Sequence, residues 1–133
     1  MRKIKFIECD PCVELVKNVD GGVQGGIVFD DGTALVDCHY QDCCEQVYAD
    51  WEYLLDESYV MECDFSDLDI EERTGRHDNG IRICATNGMR FFVPCYNEQN
   101  GYYNSNLNIK LVEVETGRVL KEWKEVPVTD KIY

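Results

Sequence analysis

Three short turn signals, each set between runs of β-favouring residues, constrain this chain more than anything else in it. Asp30-Asp31-Gly32 separates residues 24–29 from 33–40, Asn87-Gly88 separates 81–86 from 89–95, and Glu115-Thr116-Gly117 separates 107–114 from 118–123. A glycine beside Asp or Asn supplies the positive backbone dihedral that a tight hairpin needs, so each signal predicts an antiparallel strand pair. Alternation in the second strand places Leu35, Asp37 and His39 on one side, with Ala34, Val36, Cys38 and Tyr40 on the other. Residues 12–19 and 58–64 read as two more strands. Residues 65–79 read as an irregular loop, 97–106 as a polar loop, and the tail after Trp123 is expected to fray.

One segment carries helical spacing instead. Asp42 with Glu45 three residues on has the form of a capping box. Cys44, Val47, Tyr48, Trp51, Leu54 and Leu55 then recur at intervals of 3, 4 and 7, which makes one apolar stripe. The spacing predicts a helix over 42–56. A helix on one face of an antiparallel sheet buries both apolar surfaces, so the expected fold class is α+β. It comprises six or seven strands and one main helix, with a strongly curved or closed barrel as the alternative.

With 133 residues and no linker, repeat or low-complexity tract, the chain reads as a single domain over 1–133. No stretch reaches the roughly 18 apolar residues of a membrane span. The opening Met1-Arg2-Lys3 has no apolar run behind it, so no signal peptide is expected. Eight cysteines, at 9, 12, 38, 43, 44, 63, 84 and 95, fall largely where strand patterning would bury them. They read as free thiols in a reducing, cytoplasmic setting.

Charge is distributed unevenly. The formal net charge is −13, and between Asn18 and Glu72 there are sixteen Asp and Glu but no Lys or Arg. Such a chain repels phosphates, so direct nucleic-acid binding is not expected, nor is a membrane contact. A basic protein partner suits it better. The oligomeric state stays open.

The densest chemistry lies in Asp37-Cys38-His39-Tyr40-Gln41-Asp42-Cys43-Cys44-Glu45. Cys38, His39, Cys43 and Cys44 are zinc-ligand types, although neighbours on a helix diverge by about 100° and converge poorly on one ion. Cys43 or Cys44 in a helix's first turn, with His39 as base, could form a reactive thiol. Asp37, Asp42 and Glu45 oppose a thiolate there. Tyr40 and Gln41, with Tyr102 and Tyr103, offer large side chains with polar tips suited to recognition. Architecture accounts for the same residues more simply: Asp42 and Glu45 cap, the two thiols pack in the core, and His39 makes one hydrogen bond. On that reading no cofactor is expected, zinc being the alternative. Asp67 to Glu72 lacks the glycine of a calcium loop, and no phosphate-cradling glycine loop is present.

His39-Tyr-Gln-Asp-Cys-Cys-Glu-Gln-Val-Tyr48, preceded by Phe29-Asp-Asp-Gly-Thr33, resembles a family of small domains encoded by bacteria and their phages. Asn100-Gly-Tyr-Tyr-Asn-Ser105 resembles the same family's C-terminal signature. The resemblance implies a small cytosolic domain of phage or prophage type and brings no reaction or cofactor. The expectation is therefore a non-enzymatic protein-binding module. Its rival is a zinc or reactive-thiol site at His39, Cys43 and Cys44.

Overall fold

The computed structural model describes residues 1–8, 22–39, 45–75, 78–99 and 107–132. Ten strands and two short 3-10 turns run through these residues. The strands are β1 (Ile4–Glu8), β2 (Val23–Phe29), β3 (Thr33–Cys38), β4 (Glu45–Ala49), β5 (Asp69–Arg73), β6 (Gly80–Cys84), β7 (Arg90–Gln99), β8 (Leu107–Glu113), β9 (Val119–Val126) and β10 (Thr129–Ile132).

They form two five-stranded sheets. The first has the order β1-β2-β3-β8-β9, every neighbouring pair antiparallel. In the second, β7 is the spine. Its first half pairs with β6, which pairs in turn with β5. Its second half takes β4 antiparallel along one edge and β10 parallel along the other.

All three turn signals do what their chemistry dictates. Gly32 and Gly88 sit at φ 83° and 89°, in the left-handed region that a side chain would strain, and each closes its hairpin. The third turn is locked by reciprocal backbone bonds, from Gly117 N–H to the Glu113 carbonyl and from Glu113 N–H to the Arg118 carbonyl, both 2.9 Å.

Each sheet turns one face inward. Ile27, Phe29, Leu35, Leu107 and Ile109 of the first sheet meet Val47, Ile81, Ile83, Phe91, Val93 and Cys95 of the second in one buried cluster. Phe65, between the sheets, bridges Phe29 and Phe91 at centroid distances of 5.8 and 6.2 Å. A smaller cluster of Val28, Ala34, Val36, Cys38 and Val112 lies on the opposite face of the first sheet. The alternation expected for β3 is therefore present, with Leu35 and Cys38 buried on opposite faces.

The α+β expectation is overturned. No main helix exists among the described residues, and the architecture is two packed sheets rather than one sheet under a helix or a single closed barrel. Where a helix over 42–56 was expected, residues 45–49 form β4 and Trp51–Asp56 form a single 3-10 segment. Two features of the apolar stripe explain the difference. Val47 and Ala49 face the core while Gln46 is exposed and Tyr48 half-exposed, a period of two, and Leu55 points to solvent at 61% exposure. Pairing of 45–49 with the open edge of β7 sets five residues in register and gives alternate ones backbone partners. Gln24 and Asp37 take up the Val47 carbonyl and the Ala49 N–H on the other side. Those tertiary partners outweigh local helical spacing.

Smaller corrections follow the same pattern. Residues 58–64 hold a 3-10 turn (Val60–Glu62) and no strand, the supposed loop 65–79 contains β5, and the chain beyond Trp123 continues β9 and adds β10. β1 had no sequence signal of its own. The strand expected over 12–19 and the capping residue Asp42 lie outside the described residues.

Candidate functional site

Strand alternation carries Asp37 inward on the same face as Leu35, and the side chain is completely buried. β3 is the middle strand of its sheet, flanked by β2 and β8, so water cannot solvate that carboxylate. Protein donors do so instead. The Trp51 indole Nε1–H donates to Oδ1 at 2.9 Å, and the Ala49 backbone N–H donates to Oδ2 at 2.8 Å. The Gln24 side-chain amide lies 3.4 Å from Oδ2 and also donates to the Val47 carbonyl. One carboxylate thus ties the first sheet to the point where β4 gives way to the 3-10 segment.

Gly25, opposite Asp37 in the ladder, makes the geometry feasible. A Cβ there would lie 3.2 Å from Trp51 Cδ1 and 2.8 Å from the Glu8 carbonyl oxygen. Only glycine leaves space for both the indole and the neighbouring strand. Burial pushes the Asp37 carboxyl up from its ordinary 3.8 to about 6, against the lowering effect of the Ala49 and Trp51 donors. Desolvation therefore exceeds hydrogen bonding at this site.

Above the buried carboxylate a cleft of about 340 Å³ opens. Gln24, Gly25 and Asp37 form one wall; Gln46, Tyr48, Asp50 and Glu52 belong to the other. No lysine or arginine lines it among the described residues. Asp50 leaves the cleft as the start of a segment pinned at a few points. Its N–H donates to the Pro94 carbonyl at 2.8 Å, and Trp51, Leu54 and Val60 are buried.

The rest of that segment faces outward. Leu55 and Tyr59 are each 61% exposed, Tyr53 48% and Met61 45%, and they alternate with exposed Glu52, Asp56, Glu57 and Glu62. Single exposed apolar side chains are ordinary on a soluble surface. Four large ones within nine residues, held by buried anchors and interleaved with carboxylates, form a patch of the kind that meets another molecule.

The residues expected from sequence to form a site are only partly within view. Tyr40, Gln41, Cys43, Cys44, Tyr102 and Tyr103 lie outside the described residues. Cys38 is packed in the small apolar cluster of the first sheet, and burial pushes its thiol up to about 12, the reverse of what a reactive thiol needs. His39 is half-exposed, and its backbone N–H donates to the Gly22 carbonyl at 3.2 Å. Among the described residues no group of three or more His, Cys, Asp or Glu is placed to hold a metal ion. Cys38, Cys63, Cys84 and Cys95 are free thiols.

Asp37 is the residue that sequence reasoning undervalued. The signal was present: a lone carboxylate at an inward position of an otherwise apolar strand has to find donors or lose its charge. Its partners Trp51 and Gln24 could not have been named, because nothing local links residues 24, 37 and 51.

Residues 5–109 match the family described as Domain of unknown function (DUF7448). Neither the curated proteins nor the solved structures gave a match. No described helix is long and apolar enough to cross a membrane.

Proposed function

The chain belongs to the family of domain of unknown function DUF7448, and within it we propose a non-enzymatic protein-binding module that docks a basic partner on residues 50–62. The observation that carries this reading is the alternation of exposed Tyr53, Leu55, Tyr59 and Met61 with exposed carboxylates in a segment free of lysine and arginine. Apolar side chains supply affinity at such a surface, while unbalanced charge selects the sign of the partner. The Asp37 junction holds the segment's first turn, so the patch is presented on a braced base. A cytoplasmic protein of phage or prophage type, one that captures a host component, agrees with the sequence resemblance.

The test uses a synthetic amphipathic peptide of lysine and leucine, with an all-lysine peptide as control. Replacing Asp50, Glu52, Asp56 and Glu57 by their amides should weaken capture of the amphipathic peptide by on the order of tenfold. The melting temperature should stay nearly unchanged, because exposed carboxylates contribute little to folding. Equal binding by wild type and variant would sink the reading. Preference for the all-lysine peptide would reduce it to simple charge attraction.

A zinc or reactive-thiol site at His39, Cys43 and Cys44, with Cys38, is the second reading. It predicts stoichiometric zinc on elemental analysis, or one thiol that titrates far faster than the other seven.

A further inference from the structure

The cleft above Asp37 runs into the outward segment, because Asp50 and Glu52 belong to both. Glu52 is the second residue of the 3-10 turn, and Tyr53 directly after it packs edge-on against Phe92 at 5.7 Å. The first apolar side chain of the docking patch is therefore fixed one residue along from the cleft wall.

Charge in the cleft is one-sided. Asp37, Asp50 and Glu52 line it, and no base does among the described residues. Asp37 is sealed beneath with its oxygens taken by Trp51 and Ala49, so it acts through its field rather than by contact. At neutral pH it is mostly ionised, since its carboxyl titrates at about 6. Asp50 is half-buried and precedes the 3-10 turn, yet its side chain makes no capping bond to that turn. Neither Asp50 nor Glu52 joins an ion pair among the described residues. Burial first, and then the charges of Asp37 and Asp50, push the Cys95 thiol up, so the two carboxylate fields overlap within the molecule. A cation entering the cleft relieves the repulsion between them.

Size and lining narrow the cation. About 340 Å³ suits one long side chain rather than a folded segment. Gln46 adds an amide and Tyr48 a half-exposed ring to the carboxylates. That mixture suits a guanidinium better than an ammonium. A guanidinium makes paired hydrogen bonds through a planar fork, stacks on rings and sheds its water more readily. A metal ion fits less well, because no group of three or more His, Cys, Asp or Glu converges among the described residues.

We propose that this cleft is the anchor pocket of the docking surface and receives an arginine side chain of the basic partner. Asp50 and Glu52 bind the guanidinium, while exposed Tyr53 and Leu55 cover the partner's apolar side chains next to it. Interfaces concentrate their affinity in a few such seated side chains, arginine among the most frequent. The inference rests on reading residues 50–62 as a docking surface, and it names the residue type that the surface selects.

Fluorescence anisotropy on the full chain tests it with the lysine–leucine peptide, in which one central lysine is kept, replaced by arginine, or replaced by citrulline, the neutral isostere of arginine. The arginine peptide should bind at least about tenfold more tightly than the citrulline peptide, and more tightly than its lysine parent of equal charge. Asp50→Asn with Glu52→Gln should abolish that preference. Asp56→Asn with Glu57→Gln, changed outside the cleft, should keep it. Gln46→Arg, at an exposed position of the cleft wall, supplies a guanidinium from the chain itself and should abolish it too, with the melting temperature unchanged. Equal binding of the arginine and citrulline peptides overturns the anchor pocket and leaves the docking surface standing. So does a preference that survives both cleft variants, or a lysine peptide that binds as tightly as the arginine one. N-acetylarginine amide that binds as tightly as the arginine peptide also overturns it, since the cleft would then hold a small molecule. A wild type that ignores all three peptides removes the docking surface as well.

Discussion

Asp37 and Asn97 are both buried polar side chains on inward positions of central strands, and both flank Val47. Gln24, which reaches Asp37, donates to the Val47 carbonyl, while Asn97 is Val47's partner in the β4–β7 ladder. They differ in satisfaction. Both Asp37 oxygens accept short bonds from donors that arrive from the other side of the core. The Asn97 Oδ1 atom is buried with no hydrogen-bond partner among the described residues. A buried polar group costs folding free energy unless its bonds are made, so the first is a joint and the second a weakness. What separates them is geometry. Asp37 stands where the chain leaves β4 and offers a free backbone N–H and an indole, whereas Asn97 stands among strands whose backbone groups are already paired.

The largest test of that contrast is removal of the joint. Asp37→Ala leaves the Ala49 N–H and the Trp51 indole N–H without acceptors, and should cost about 3 kcal/mol or more. Urea unfolding measures it directly. A loss below about 1 kcal/mol would mean that the donors find other partners and that the joint is dispensable.

Next comes pH. Because the folded state raises the Asp37 carboxyl from 3.8 to about 6, the native protein holds a proton in that window which the unfolded chain has released. Stability from this group is complete below 3.8, declines as pH rises through about 6, and is level above. The decline amounts to about 3 kcal/mol for a shift of this size. Asp31 and Asp64 shift downward and act below the window, so they do not mask it. In Asp37→Asn the decline between pH 4 and 7 should vanish, and parallel stability curves for the two proteins would break the account.

The smallest effect is expected at the weak point. Asn97→Val replaces an orphaned oxygen with methyl groups on a strand that favours β-branched residues. Stability should change by less than about 1 kcal/mol, with a gain more natural than a loss. A loss near that of Asp37→Ala would show Asn97 to be a joint too, and the contrast would fail.

The contrast also marks which features were readable from residues in order. Hairpins at Asp30-Asp31-Gly32 and Asn87-Gly88 were legible because a turn is made by the residues that encode it. The segment from Asp42 to Asp56 was not, since its apolar residues fit a helical stripe and a strand followed by a tight turn about equally well. The open edge of β7, about 50 residues away in sequence, decided between them. The acidic character of residues 50–62 was plain in the composition, yet which of its apolar side chains face outward was not. Leu54 is fully buried and Leu55 is 61% exposed, adjacent and chemically identical.

By itself the sequence determined the antiparallel hairpins, the inward and outward sides of β3, and the charge imbalance, all set by neighbouring residues or by simple sums. Only the tertiary structure decided that Glu45–Ala49 is a strand, that Gln24, Asp37 and Trp51 converge, and that Tyr53 touches Phe92. Each of those depends on backbone or side-chain partners distant along the chain, and a pairing energy of that kind leaves no mark on local spacing.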